Sequence, residues 1–211
     1  MSRLLVATTN RGKLAELGPL LAAHGWELVG LDAFPGVAVA REDADSFAGN
    51  ARAKALHYAA ATGLPALADD SGLEVAALGG APGVRSARYA GPEADDAANR
   101  ARLLTALAGA ADRRARFVCA LCLARDGAAL LEVSGECRGT IAAAPRGTGG
   151  FGYDPLFLCD DPSAAGRTFA ELSREEKQRV SHRGAALRAL TAALARAPRA
   201  GAGAAAGGPA P

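Results

Sequence analysis

Short apolar runs of strand length alternate with segments of helical periodicity along most of this chain. Residues 3–8 form one apolar run, and Leu14, Leu17, Leu20 and Leu21 then recur at the spacing of a helix face. Alternation of this kind is typical of α/β folds, in which helices cover the faces of a sheet.

Turn and cap signals place the remaining elements. Gly63 ends a helical segment that begins near Ser46, as expected for a left-handed C-cap. A turn at Asp126-Gly127 joins two long apolar runs and predicts a β-hairpin, while Ser173 and Glu176 form a capping-box pattern. The predicted strands are 3–8, 26–31, 64–68, 73–75, 115–125 and 128–142, and the predicted helices are 12–23, 46–62, 95–107 and a region from 173. We therefore predict one α/β domain with a mixed sheet.

Length and charge exclude several classes of function. The 211 residues, half of them apolar, suffice for one domain with a substantial core. A net charge of +2 is too small to favour nucleic acid or an anionic membrane as a partner. No apolar run reaches the ~18 residues that a membrane span needs, and no signal-peptide pattern precedes the first strand. We expect a cytoplasmic protein whose domain covers residues 1–198, followed by a disordered Ala/Gly/Pro tail at 199–211.

Cys119 and Cys122 form a C-x-x-C pattern that invites a metal or redox interpretation. They lie in a predicted strand, where residues three apart point to opposite faces, so the two thiols cannot converge on one ligand. We expect them, with Cys137 and Cys159, to be small core residues in a reducing compartment.

The glycine-rich segment 147–152 matches G-x-G-x-x-G, the pattern of dinucleotide-binding oxidoreductases. That motif needs a helix after its third glycine, and Pro155 opposes one. The aromatic rings of Phe151 and Tyr153 and the carboxylate of Asp154 could instead stack on a base and bind its edge. A tight turn whose aromatics fill the core is the alternative, and the segment alone leaves both open.

Residues 8–13 join the first strand to the first helix and contain hydroxyls, an amide and Lys13, one of only three lysines among 24 basic residues. Ligands of α/β sheets collect at the carboxyl ends of strands, and helix N-termini favour anions. The segment therefore predicts a phosphate cradle, although it lacks the Walker A pattern. Ordinary helix capping by Thr9 or Asn10, with an exposed lysine, is the alternative.

Asp69-Asp70-Ser71-Gly72 follows an apolar extended run and is the strongest chemical candidate. We expect the strand to open into a loop here. Carboxylates at such a position suit Mg²⁺, which binds a few carboxylates together with substrate phosphates. Because successive strand residues face opposite ways, Asp69 and Asp70 are expected to act differently. A solvated turn is the alternative.

Several motifs in one order resemble the inosine triphosphate pyrophosphatase family, the RdgB-like non-standard purine nucleoside triphosphatases. The resemblance covers almost the whole chain apart from the tail, and its specificity comes from the order and spacing of the motifs. They are the segments 7–13, 50–55, 68–73, 79–89, 149–155 and 181–184. One departure is Gly49, where many relatives have glutamate before Asn-Ala.

The resemblance implies a two-lobed α/β domain whose active-site cleft lies between the lobes. It also implies hydrolysis of ITP, dITP and XTP to the monophosphate and pyrophosphate, with Mg²⁺, in a homodimer. Asp70 would be general base and metal ligand, and Glu42 falls near a second metal-site acid. Thr8, Thr9, Asn10, Arg11, Gly12 and Lys13 would bind the triphosphate, and Ser71 would contact the substrate. The base would be held by Phe151, Gly152, Tyr153, Asp154, Lys177, His182 and Arg183.

Three further expectations combine the implied roles with physical reasoning. Lys54 lies on the helix before the Asp69-Asp70 segment, where its charge can neutralise the metal-site acids. Donors from the Phe151 loop backbone, His182 and Arg183 would select a 6-oxo purine, because the amino group of adenine leaves such a donor unpaired. Lys177 and Arg183 lie about 120° apart on a straight helix, so we predict a break that Ser181 caps. A non-catalytic nucleotide-binding module and a dinucleotide-dependent oxidoreductase are the alternative functions.

Overall fold

A mixed sheet organises the protein, whose computed structural model describes residues 2–23, 25–93 and 95–196. The predicted tail at 199–211 lies outside the described residues. Within them the sheet has six strands in the order β2-β1-β3-β4-β5-β6, with β1 parallel to β2 and β3 and the other neighbours antiparallel. The strands are β1 (Ser2–Val6), β2 (Trp26–Gly30), β3 (Ala66–Val75), β4 (Arg114–Arg125), β5 (Ala128–Ile141) and β6 (Phe157–Cys159). The predicted mixed α/β sheet is confirmed.

The helices begin and end close to their predicted positions. Ser46 caps the second helix by accepting a hydrogen bond from the backbone N–H of Gly49, and Gly63 ends it in the left-handed conformation at φ 67°. Asp126 and Gly127 both have positive φ, as a two-residue hairpin turn requires. The helices are α1 (Arg11–Ala23), α2 (Phe47–Thr62), α3 (Asp96–Ala106), α4 (Arg174–Val180) and α5 (His182–Arg196). None of the described helices is long and apolar enough to cross a membrane.

The predicted loop at Asp69–Gly72 was wrong, because β3 runs unbroken through these residues. All ten residues of β3 pair with β4, which supplies a continuous backbone ladder along one edge. On the other edge β1 pairs only with Ala66 and Leu67, since β1 ends at Val6. The Asp-Ser-Gly sequence therefore marks the part of β3 beyond the end of β1. Asp69 and Asp70 lie in the middle of β3, beside an edge that β1 does not cover.

Small side chains let a helix approach one face of the sheet closely. Ala51, Ala55 and Ala59 of α2 pack with Ala68 and Ala120 of the sheet. The opposite face is covered by α1 and α5, whose leucines meet those of β1, β3 and β4. A third cluster around Phe117, Phe157 and Phe169 forms the core at the other end of the sheet, packed against α3.

The cysteines are core residues, as predicted. Cys119 packs on the α1 and α5 face and Cys122 on the α2 face, so the C-x-x-C thiols point apart. Burial raises the pKa of Cys119 to about 12 and that of Cys122 to about 11. The Sγ atoms of Cys137 and Cys159 lie 3.2 Å apart as free thiols.

Candidate active site

A cavity of about 660 Å³ opens at the edge of β3 beyond the end of β1. It brings together residues from every segment that the sequence singled out. The predicted residues that line it are Thr8, Thr9, Asn10, Lys13, Glu42, Lys54, Asp70, Ser71, Phe151, Gly152, Tyr153, Asp154, Lys177, His182 and Arg183. The side chain of Arg11 lies outside what the structure describes, and Gly12 lies in the first turn of α1.

Asp69 lies beneath the cavity and organises its cationic side chains. Its Oδ2 is 2.8 Å from Nζ of Lys13 and 3.8 Å from Nε of Arg183, and it accepts a hydrogen bond from Ser71. Burial alone would raise the pKa of Asp69, but the charges of Lys13 and Arg183 reverse this effect and lower it. Asp69 is therefore ionised at neutral pH and holds Lys13 from below.

Asp70 points to the opposite face, toward α2. Its Oδ2 accepts a hydrogen bond from the side-chain amide of Asn50 at 3.1 Å, and its Oδ1 lies 3.4 Å from Nζ of Lys54. Burial raises the pKa of Asp70, and Lys54 and Asn50 oppose that effect only in part. A carboxylate with a raised pKa is a stronger base than an ordinary aspartate. The different surroundings predicted for Asp69 and Asp70 are confirmed.

Glu42 reaches the same lysine from the segment before α2. Its Oε1 lies 3.0 Å from Nζ of Lys54, so two carboxylates converge on one ammonium group. Burial would lower the pKa of Lys54, but the charges of Asp70 and Glu42 raise it. Among the described residues no group of three or more His, Cys, Asp or Glu side chains forms a metal site. Two acids at an open cavity suit a hard cation that takes its other ligands from water and phosphate.

The segment from Thr8 to Lys13 both caps α1 and lines the cavity. Asn10 caps α1, since its Oδ1 accepts the backbone N–H of Lys13 at 3.1 Å, and Thr8 accepts the N–H of Asn10 at 3.2 Å. Capping thus fixes the loop, while Lys13 lines the cavity with its ammonium group held by Asp69. A helix N-terminus and a fixed cation at one place favour an anion there.

Glu16 joins the two cations of the α4–α5 segment. Its carboxylate lies 2.9 Å from Nζ of Lys177 through one oxygen and binds Nη1 of Arg183 through the other. Burial alone would raise the pKa of Glu16, but Arg183 and Lys177 outweigh it and lower the pKa. Both cations reach one acceptor because Ser181 interrupts the helix with extended backbone and caps α5 by accepting the N–H of Gly184. The predicted break is confirmed.

The loop around Phe151 presents an aromatic ring beside these cations. Nζ of Lys177 lies 5.0 Å from the centroid of the Phe151 ring and 2.6 Å from Oδ2 of Asp154. Asp154 also accepts the backbone N–H of Phe151. A single 3₁₀ turn over Asp154–Leu156 follows the loop. The helix that a dinucleotide-binding motif requires is therefore not formed there, as predicted.

Two details of the predicted base site need correction. The backbone N–H groups of Phe151 and Gly152 are already bound to the carboxylates of Asp154 and Asp96, so they are not free donors for a base. Tyr153 is buried in the core and donates its hydroxyl hydrogen bond to the carbonyl oxygen of Ser86. Of the two rings, only that of Phe151 is partly exposed where the loop lines the cavity.

His182 is a buried neutral group. Its ring stacks on Phe117 with centroids 4.6 Å apart, and its Nδ1 has no hydrogen-bond partner among the described residues. Burial, reinforced by the charges of Arg183 and Lys177, lowers the pKa of His182 well below its ordinary value. The ring can therefore offer one neutral N–H donor and one acceptor, but no charge, at neutral pH.

Sequence reasoning missed four polar residues that complete the site. They are Glu16 and Asn50, already described, and two residues of α3, Asp96 and Arg100, which bind the backbone of Gly152. Glu16 carried a detectable signal, because it lies three residues after Lys13 on one helix face. The position of α3 over the loop depends on tertiary packing and left no such signal.

The departure at Gly49 has a steric reason. Gly49 lies in the first turn of α2, and a Cβ atom added there would stand 2.7 Å from Cβ of Ala44 and 3.1 Å from Oγ of Ser46. Any side chain at this position must displace the segment that carries Glu42 or the cap of α2.

Comparison with known proteins gives one consistent family. The model of the Ham1 family matches residues 4–193. A protein of Syntrophobacter fumaroxidans named dITP/XTP pyrophosphatase is 55% identical over 184 residues, 87% of this chain and 78% of the relative. One of Gloeobacter violaceus with the same name is 53% identical over 196 residues, 93% of this chain and 96% of the relative. The structure of a HAM1 protein from Coxiella burnetii has a TM-score of 0.84 at 44% identity, covering 93% of this chain and 100% of that one.

Proposed function

This chain belongs to the Ham1 family, and on that premise we propose that it hydrolyses ITP, dITP and XTP to the nucleoside monophosphate and pyrophosphate. The resemblance to nucleoside triphosphate pyrophosphatases drawn from its motifs is confirmed by the family match. The observation that carries the proposal is the placement of Asp70, a carboxylate of raised pKa at a cavity whose two ends are cationic.

We infer that the phosphates and the base of a purine nucleoside triphosphate bind at opposite ends of the cavity. The phosphates lie toward the N-terminus of α1, where Lys13 supplies a compact charge and Thr8, Thr9 and Ser71 supply hydroxyls. The base lies on the ring of Phe151, within reach of Lys177 and Arg183. Cationic side chains can bind a purine by packing against its ring face and by donating hydrogen bonds to its polar edge.

Asp70 acts as the general base. Its carboxylate accepts a proton from a water molecule as the water oxygen attacks the α-phosphorus, and the bond from that phosphorus to the bridging oxygen breaks to release pyrophosphate. Asn50 fixes the orientation of the carboxylate, and Lys54 keeps its ionised form accessible at neutral pH. Lys13 stabilises charge that develops on the phosphate oxygens.

Glu42 and Asp70 would hold Mg²⁺ together with the substrate phosphates. The two carboxylates fit this ion, because they already converge on a cationic group and face an open, polar cavity. When bound, the ion would polarise the phosphoryl oxygens and neutralise their charge. Lys54 balances the two acids in the absence of substrate and so prevents their mutual repulsion from opening the site.

Selection of a 6-oxo purine falls to Lys177, Arg183 and His182. The donors of Lys177 and Arg183 are oriented by the shared carboxylate of Glu16, so they meet the oxygen at position 6 in a fixed geometry. The amino group of adenine is itself a donor and would leave a buried N–H unpaired, which costs about 1–3 kcal/mol.

The decisive experiment is pyrophosphate release from ITP, XTP and ATP, with and without Mg²⁺, by the wild type and Asp70→Asn. We expect Mg²⁺-dependent release from ITP and XTP, much slower release from ATP, and a loss of at least about a hundredfold in Asp70→Asn. Asp43→Asn is the matched control, because Asp43 is an exposed acid beside Glu42. Full activity of Asp70→Asn would overturn the general-base role, and equal use of ATP would overturn the selectivity.

The alternative of a non-catalytic nucleotide-binding module makes a different prediction in the same assay, since it binds ITP without releasing pyrophosphate. We propose further that the protein works in the cytoplasm as a homodimer, without a nucleic-acid or membrane partner. Light scattering after size-exclusion chromatography measures the oligomeric state, and a mass of 21.2 kDa at micromolar concentration would contradict the dimer.

A further inference from the structure

Side chains of helix α3 form hydrogen bonds with both the N–H and the carbonyl oxygen of Gly152, in the loop that carries Phe151. Oδ2 of Asp96 accepts the backbone N–H of Gly152 at 2.6 Å, and Nη1 of Arg100 donates to the carbonyl oxygen of Gly152 at 2.7 Å. Asp96 and Arg100 are four residues apart and so lie on one face of α3. The two contacts join segments that are 56 and 52 residues apart in sequence.

Gly152 lies in a loop that has no regular secondary structure to fix its position. The segment from Ala142 to Tyr153 has no helix or strand of its own, and residues 143–150 are all exposed. Gly152 has φ 59°, a left-handed conformation that allows the chain to turn sharply between Phe151 and Asp154. A small shift of its peptide groups therefore changes the angle between the Phe151 ring and the Asp154 carboxylate.

Asp154 transmits the position of the loop to the cations of the base site. Its Oδ2 accepts both the N–H of Phe151 and a hydrogen bond from Nζ of Lys177. The ring of Phe151 lies under Lys177 and Arg183. A chain of direct contacts thus runs from α3 through Gly152 and Asp154 to Lys177. Lys13 is more remote because, among the described residues, it connects to Lys177 only through Asp69, Arg183 and Glu16.

We propose that Asp96 and Arg100 are positioning residues for base recognition, which act through Gly152 and without chemistry of their own. The inference rests on the proposed function, because it assumes that the Phe151 loop receives the purine. It assigns α3 a role in selecting the base and none in binding the phosphates. Loss of these two hydrogen bonds to Gly152 should weaken contacts to the base while leaving phosphate binding and the chemical step intact.

The test measures binding of IMP and of pyrophosphate separately, by calorimetry, together with KM and kcat for ITP. For Asp96→Ala we expect about a tenfold weaker binding of IMP, the effect of one lost hydrogen bond to a charged group, with unchanged pyrophosphate binding. KM for ITP should rise by a similar factor while kcat stays within about twofold. Arg100→Met should act in the same direction.

Two further variants separate positioning from helix stability. Asp95 caps α3 by accepting the N–H of Ala98 and does not touch Gly152, so Asp95→Ala weakens the helix but should leave IMP binding unchanged. Asp96→Asn keeps an acceptor oxygen for the N–H of Gly152 and should restore most of the lost affinity. Equal losses in Asp95→Ala and Asp96→Ala, or equal weakening of IMP and pyrophosphate, would overturn the inference.

Failure of the proposed function gives a different result. In that case the wild type itself binds no IMP and releases no pyrophosphate from ITP. A wild type that does both, with an Asp96→Ala variant that matches it in IMP affinity and KM, contradicts the positioning role alone.

Discussion

Nζ of Lys13 lies 2.8 Å from Oδ2 of Asp69, a carboxylate whose side chain has no solvent exposure. The next residue, Asp70, points to the other face of the sheet and meets Lys54. Two adjacent acids thus meet different cations on opposite faces of the sheet, because a strand alternates its side chains. The pKa of Asp69 is lowered because its cations outweigh burial, and the pKa of Asp70 is raised because burial outweighs Lys54 and Asn50.

Lys13→Arg tests whether a compact ammonium group is needed at the phosphate end. The ammonium group of Lys13 lies 2.8 Å from the fully buried carboxylate of Asp69, and a longer, planar guanidinium changes the position at which the charge meets a phosphate. We expect pyrophosphate to bind about tenfold more weakly, measured by calorimetry.

The control for this substitution is Arg52→Lys, which exchanges the same two residue types at an exposed pair with Glu132. It should leave pyrophosphate binding unchanged. Unaltered affinity in Lys13→Arg would show that only the charge of Lys13 matters.

Lys177→Gln should reduce discrimination against adenine. The variant keeps a polar side chain but loses the charged donor that Glu16 and Asp154 orient. We expect kcat/KM for ITP to fall by about ten- to a hundredfold and that for ATP to change much less, so their ratio falls. Arg179→Gln, on the exposed side of α4, is the control and should preserve the ratio.

Glu16→Gln should destabilise the protein in a pH-dependent manner. The pKa of Glu16 is lowered in the folded state, so its ionised form stabilises the fold at every pH above its unfolded pKa of about 4.3. We expect the variant to lose about 2 kcal/mol of unfolding free energy at pH 7. The difference between variant and wild type should shrink as the pH falls below 4 and through the lowered pKa.

Urea denaturation between pH 3 and pH 8 measures this difference. A constant gap across that range would show that the titration of Glu16 does not contribute to the stability difference.

Gly135→Ala should displace α5. A Cβ atom at Gly135 would overlap the backbone nitrogen of Ala186 and the carbonyl oxygen of His182, so β5 and α5 touch directly at this glycine. Overpacking at such a contact costs about 1–3 kcal/mol. Because α5 begins at His182, ITP hydrolysis should fall together with thermal stability, whereas Ser134→Ala at the exposed neighbouring position should change neither.

Local signals in the sequence were sufficient for most elements of the fold. The cap at Ser46, the glycine at 63, the Asp126-Gly127 turn and the Ser173 capping box each have a backbone cause within a few residues. The break at Ser181 followed from helix geometry together with the family resemblance, which placed Lys177 and Arg183 at one ligand. These predictions succeeded because their physics is short-range.

The errors share a different cause. Asp69–Gly72 resembled a loop because its residues disfavour strands, yet the long β4 pairs with all of it. The N–H group of Gly152 seemed free because its acceptor, Asp96, lies 56 residues away in sequence and reaches it only in the folded chain. Pairing over long distances in sequence overrides local preference, and nothing in a single sequence records it.

Because β1 ends early, the cavity lies where further residues of β1 would otherwise pair with β3. A cleft of this origin needs no hinge, since β4 keeps the opposite edge of β3 rigid and the gap exists before any ligand arrives. The position at which β1 ends also limits how far this strand can be lengthened. Two or three more strand residues after Val6 would complete the hydrogen-bond ladder along Ala68–Asp70 and abolish the enzyme by giving it a more regular sheet.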